Sequence, residues 1–118
     1  MSNISNTSNM SNMSNISYKS LKQSKDYCPS ICIPRVFKNI TIPFIVDIFQ
    51  KQLRLGLIKK VNSVNNTDNN FKKIFIYFEF WYDNESINSI KQKIIDGIII
   101  KIVYDNPWFW KCALNNSV

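Results

Sequence analysis

The chain has 118 residues, 45% of them hydrophobic, which suits one domain with its own core and is too little for two. It has no histidine and two glycines, which excludes imidazole chemistry and a Gly-rich phosphate loop. The formal net charge of +7 admits a phosphate-bearing partner without demanding one, because no long basic run concentrates it.

Residues 2–17 repeat a Ser-Asn-x triplet, SNISNTSNMSNMSNIS. Such a segment cannot bury enough apolar surface to offset backbone entropy, so a disordered tail over 1–26 is expected. The abundance of Asn, Ile, Lys and Ser suits an AT-rich genome. The polar N-terminus lacks a basic-then-apolar leader, and no apolar run reaches bilayer length. An intracellular setting without membrane contact is expected.

The texture changes at Tyr27. ICIPRVF (31–37) is a short apolar run, consistent with a buried strand. Thr41 can cap a helix over TIPFIVDIFQKQL, with Pro43 tolerated in its first turn. Ile45, Ile48, Phe49 and Leu53 share one face of that helix, and Gly56 ends the region. LIKKVNSV (57–64) predicts a second strand, NNTDNN (65–70) a polar loop, and KKIFIYFEF (72–80) a third strand. Asp83 or Asn84 can cap a second helix carrying Ile87, Ile90 and Ile94 on one face; Asp96-Gly97 breaks it. IIIKIVY (98–104) predicts a fourth strand.

The order is therefore βαββαβ. Two split βαβ units of this size make an α+β, ferredoxin-like domain, a four-stranded antiparallel sheet with both helices on one face. Its other face is left open. NPWFWKCAL (106–114) follows the expected end of the sheet. This aromatic extension, 106–118, is expected to pack on the domain (27–105), to extend it, or to meet a partner.

From Tyr27 onward the chain resembles the RNA recognition motif (RRM) family over about residues 29 to 105. Ile31-Cys32-Ile33-Pro34-Arg35-Val36 lines up with the family's first-strand hexamer, with Cys32 at the stacking position and Arg35 in place of the usual Asn. Phe71-Lys72-Lys73-Ile74-Phe75-Ile76-Tyr77-Phe78 lines up with its third-strand octamer. There Phe75 keeps one stacking aromatic, and Lys73 stands at the other. ICIPRVF, WYDNES and YDNPWFWK together resemble a group of small RRM-like proteins of large DNA viruses with AT-rich genomes. That resemblance implies a host-cell cytoplasm, viral-factory or virion location.

Alternation sorts the third strand. Ile74, Ile76, Phe78 and Phe80 share one face and, with Ile31, Ile33 and Val36, are expected to form the core. Lys73, Phe75, Tyr77 and Glu79 share the other. Single-stranded RNA stacked on Phe75 and Tyr77, with Lys73, Lys60 and Lys101 as backbone contacts, is one expectation. Arg35 either joins that face or pairs with an acid such as Asp105, and Cys32 is a small residue on the sheet. The other expectation is a protein-interaction module or homodimer, its sheet covered by Pro107-Trp108-Phe109-Trp110 or by a partner.

No enzyme is expected. Cys32 lacks a histidine base, and Asp83 and Glu85 fit a helix start better than a catalytic pair. Cys28, Cys32 and Cys112 are too few for a zinc site without histidine. On an extended segment Cys28 and Cys32 stand about 13 Å apart, beyond disulfide reach. No cofactor is implied.

Overall fold

The computed structural model describes residues 27–67 and 70–116. The tail expected over 1–26 lies outside them. In chain order the elements are β1 (Ile31–Phe37), α1 (Ile42–Asp47) running into a π-helical turn (Ile48–Gln52), β2 (Gly56–Asn65), β3 (Phe71–Trp81), α2 (Glu85–Ile95), β4 (Ile100–Asp105) and β5 (Trp108–Leu114).

The strands form one five-stranded antiparallel sheet in the order β2-β3-β1-β5-β4. This corrects the four-strand expectation. The segment predicted as the fourth strand becomes β4, at the edge of the sheet. The place beside β1 goes to β5, which pairs Ile31 with Leu114 and Cys32 with Ala113. The reason lies in what β5 buries. WFWKCAL alternates, so Trp110 (2% exposed) and Cys112 (1%) enter the core while Phe109 and Lys111 point away. A two-residue turn, Asn106-Pro107, then folds β4 back along β5 as a hairpin. Because β3 and β5 both run antiparallel to β1, they are parallel to each other.

Both helices start at side-chain caps. Thr41 Oγ1 accepts from the Phe44 N–H at 3.3 Å, and Asn84 Oδ1 accepts from the Ile87 N–H at 2.9 Å. Asp83, the other candidate cap, accepts instead from the Asn88 side chain. The first helix is shorter than expected. After Asp47 the backbone widens into the π turn, where the Leu53 N–H donates to Ile48 O at 2.8 Å and consecutive Ile48 and Phe49 both point inward. Gly56 starts β2. A Cβ there would stand 2.1 Å from the Phe80 carbonyl oxygen, so a glycine lets β2 lie against β3.

One face of the sheet packs on the helices. Ile31, Ile33, Ile74 and Ile76 meet Ile45 and Phe49 from the first helical segment and Ile87 and Ile94 from α2 in a single apolar cluster. Trp110 stacks on Phe49 with centroids 6.1 Å apart and on Tyr104 at 4.3 Å.

Among the register shifts in the sheet, one in β1 and one in β3 decide which side chains face the core. In β1, Pro34 and Arg35 together oppose Lys73, which keeps both Ile33 and Val36 inward. In β3, Glu79 is the extra residue between the Phe78–Ile58 and Phe80–Leu57 pairs. Phe80, expected in the core, is therefore turned out and 43% exposed, and Trp81 (7%) takes the inward place, its indole N–H donating to Pro29 O at 3.1 Å. Lys72 also points inward, at the end of the sheet, where its ammonium donates to Ile40 O at 2.6 Å. Among the described residues no helix is long and apolar enough to cross a membrane.

Candidate nucleic-acid interface

The face away from the helices carries every residue singled out from sequence. Phe75 is paired with Asn62 on β2 and with Cys32 on β1, and Cys32 is paired in turn with Ala113 on β5. This row has one ring flanked by short side chains, which leaves room for something flat above it. Tyr77 is paired with Lys60, whose ammonium lies 4.8 Å from the ring centroid. The Tyr77 hydroxyl accepts from the Asn115 side-chain amide at 3.4 Å. Both rings are half-buried in the sheet surface.

The cations share this face, Lys60 and Lys73 beside these rings and Arg35, Lys101 and Lys111 nearer Phe71 and Phe109. Lys73 alternates with Phe75 and Tyr77 and is paired with Val64. Arg35, released from the strand pattern by the β1 bulge, lays its guanidinium 4.1 Å from the Phe71 ring centroid rather than pairing with Asp105. Lys101 lies directly across from Lys111, with its ammonium 4.3 Å from the Phe109 centroid. Like charges facing each other this closely stabilise nothing in the fold, and they leave positive potential on the surface. Glu79 is the acid that the β3 pattern places toward the same side.

Residues 108–110 are part of the sheet, so they do not lie across Phe75 and Tyr77. Trp110 is on the helix-facing side. Trp108 meets Phe37 edge-on at 5.7 Å, at the end of the sheet where Phe37 also stacks on Phe71 at 5.0 Å.

The Cys32 and Cys112 thiols are poor nucleophiles. Burial pushes the Cys32 thiol above its ordinary range, although the Lys73 ammonium pulls it partly back. Burial first, and Cys32 second, push Cys112 up to about 12. A protonated thiol neither attacks nor binds metal. Burial, with the Asp105 carboxylate beside it, also raises Tyr104 and keeps its phenol protonated. Among the described residues no three Cys, Asp or Glu side chains gather as a metal site.

Sequence reasoning did not place Phe37, Phe71 or Lys111 at the site, and it offered Trp108 and Phe109 as its cover. Phe71 was within reach, two positions before Lys73 in the same alternation. Phe37 is reached only through the bulge. The other three become visible only once 108–114 is known to be a strand.

Fold and face together define an α+β domain with one sheet face uncovered by any described element and lined by rings and cations. Comparison with protein-family models, curated proteins and solved structures finds no match to this chain.

Proposed function

We propose that this chain is a non-enzymatic module that binds single-stranded nucleic acid, RNA by preference, across the open face of its sheet. The observation that carries the reading is the half-buried pair Phe75 and Tyr77, which no described element covers, on a face shared with Arg35, Lys60, Lys73, Lys101 and Lys111. A base stacked on an exposed ring gains about 1–3 kcal/mol. Cations around it attract phosphates, with an affinity that falls as salt rises.

The topology supports an RRM-type, ferredoxin-like reading once β4 is set aside. β1-α1-β2 and β3-α2-β5 are then the two split βαβ halves, with β4 added at the edge. On this reading Cys32 and Lys73 occupy stacking positions without rings. Phe75 holds the central base, Tyr77 and Phe71 extend the platform along β3, and Lys73 contacts the backbone.

Anisotropy titration with short fluorescent single-stranded RNA, at two salt concentrations, tests this. Binding should weaken with salt, and Phe75→Ala with Tyr77→Ala should lower affinity at least tenfold. No binding at low salt, or binding indifferent to both substitutions, rejects it.

A second reading is favoured by a different observation. Val103 (54% exposed) and Phe109 (40%) are paired on the β4–β5 hairpin beside the outer edge of β4, which pairs with no other described strand. A protein partner or second copy would dock there, and light scattering after size exclusion reports the second copy.

A further inference from the structure

The end of the sheet holds a feature that stacking on Phe75 and Tyr77 does not use. Where the β4–β5 turn meets the end of β1 and the start of β3, a cleft of about 360 Å³ opens. Pockets for small ligands run from about 300 to 1,000 Å³, so this one has room for a single nucleotide-sized group. Its wall includes Phe37, Phe71, Trp108, Phe109 and Trp110, and Arg35 is its charged lining residue.

Three observations give the cleft a chemistry. Trp108 is 54% exposed, a large indole face held by an edge contact to Phe37. Trp110 is 2% exposed, and its indole N–H is buried with no acceptor among the described residues. Such a donor is costly to leave unpaired. The Arg35 guanidinium carbon lies over the Phe71 ring, 4.1 Å from its centroid. A guanidinium stacked on a ring keeps its in-plane N–H donors available for an oxyanion. A flat group to stack on Trp108 and an anion for Arg35 are together the parts of a nucleotide, and Trp110, which also lines the cleft, reports its occupancy.

Resting on the single-strand reading above, we propose that this cleft is a nucleotide subsite. It takes one terminal unit of the bound strand, with the base against Trp108 and the phosphate on Arg35. The strand then runs from this end of the sheet along β3, past Phe71 towards Phe75 and Tyr77. The cleft fixes where the chain of nucleotides starts, which the open platform alone does not.

The three tryptophans make the test direct. In nitrogen-15-labelled protein each indole N–H gives its own resonance. Trp81, already bonded to Pro29 O, is the internal reference. Titration with adenosine 5′-monophosphate at low salt should move the Trp108 and Trp110 resonances saturably and leave Trp81 in place. Adenosine and inorganic phosphate, titrated separately, should each bind at least fivefold more weakly than the nucleotide. Trp108→Ala should weaken nucleotide binding about tenfold, read on Trp110, and Arg35→Ala about fivefold. Read on the Trp108 and Trp110 resonances, the mononucleotide titration scores the subsite apart from the platform. If RNA binding proves indifferent to Phe75 and Tyr77 while the nucleotide still moves Trp110, the subsite stands alone. A Trp110 resonance unmoved by nucleotide, or an affinity unaltered in Trp108→Ala, overturns the proposal.

Discussion

β3 and β5 flank β1 on either side, both antiparallel to it, and both are rich in rings. They use those rings in opposite ways. Along its length beside β1, β3 sends aliphatic Ile74 and Ile76 into the core and leaves Phe75 and Tyr77 outside. β5 sends Trp110 into the core, against Phe49 and Tyr104, and leaves Phe109 and Lys111 outside. An aromatic side chain is therefore no guide to role by itself. The face it occupies decides, and the face follows from strand register.

The sharpest way to break this contrast is to remove the ring that β5 buries. Trp110→Ala should destabilise the fold by about 3–5 kcal/mol through lost transfer energy and a cavity, read as a fall in the urea midpoint at unchanged slope. A loss below about 1 kcal/mol would mean that β5 is not the inner strand described. Next is the paired removal of Phe75 and Tyr77. It should cost about 1–3 kcal/mol of RNA binding per ring and much less stability than Trp110→Ala, in the same denaturation series.

A smaller effect comes from Cys112, the other inward residue of β5. Its thiol ordinarily titrates near 9 and is held at about 12 in the fold. The folded chain then keeps a proton that the unfolded chain loses. The stabilisation is complete below about pH 9 and declines as pH rises from there toward about 12, by roughly 1 kcal/mol for each unit. Unfolding at about pH 8 and about pH 10 should show the decline, and Cys112→Ala should flatten it. The smallest change is expected at Trp108. Being exposed, its replacement by Ala should shift stability by no more than about 0.5 kcal/mol, which separates it from Trp110, two residues away.

β1, β2 and β3 were legible in the sequence to within a residue or two, because each is a β-rich run bounded by polar or glycine signals. The helix starts were legible from Thr41 and Asn84, whose side chains can reach back to the backbone. The outward set Lys73, Phe75 and Tyr77 followed from simple alternation. What was not legible depends on long-range pairing. No local signal distinguishes a tryptophan that will cover a sheet from one that will enter its core, so the place of Trp110 stayed open between covering the sheet and extending it. The bulges at Pro34-Arg35 and Glu79 are offsets between two strands. They are written in neither strand alone, and they decide where Arg35, Phe80 and Trp81 point.

The position of β5 has a consequence for the order in which the chain can assemble. Ile31 and Cys32 find their second neighbours only at Leu114 and Ala113. During synthesis β1 can pair with β3 once residue 76 has emerged, but its other edge stays open until 113 and 114 follow. Until then β4 has no partner in the sheet, and the hydrophobic surface that Trp110 fills has nothing against it. A ribosome paused between β4 and β5 holds β2-β3-β1 with a bare edge, ready to accept any extended strand nearby. The last of the described strands is the one that closes the gap.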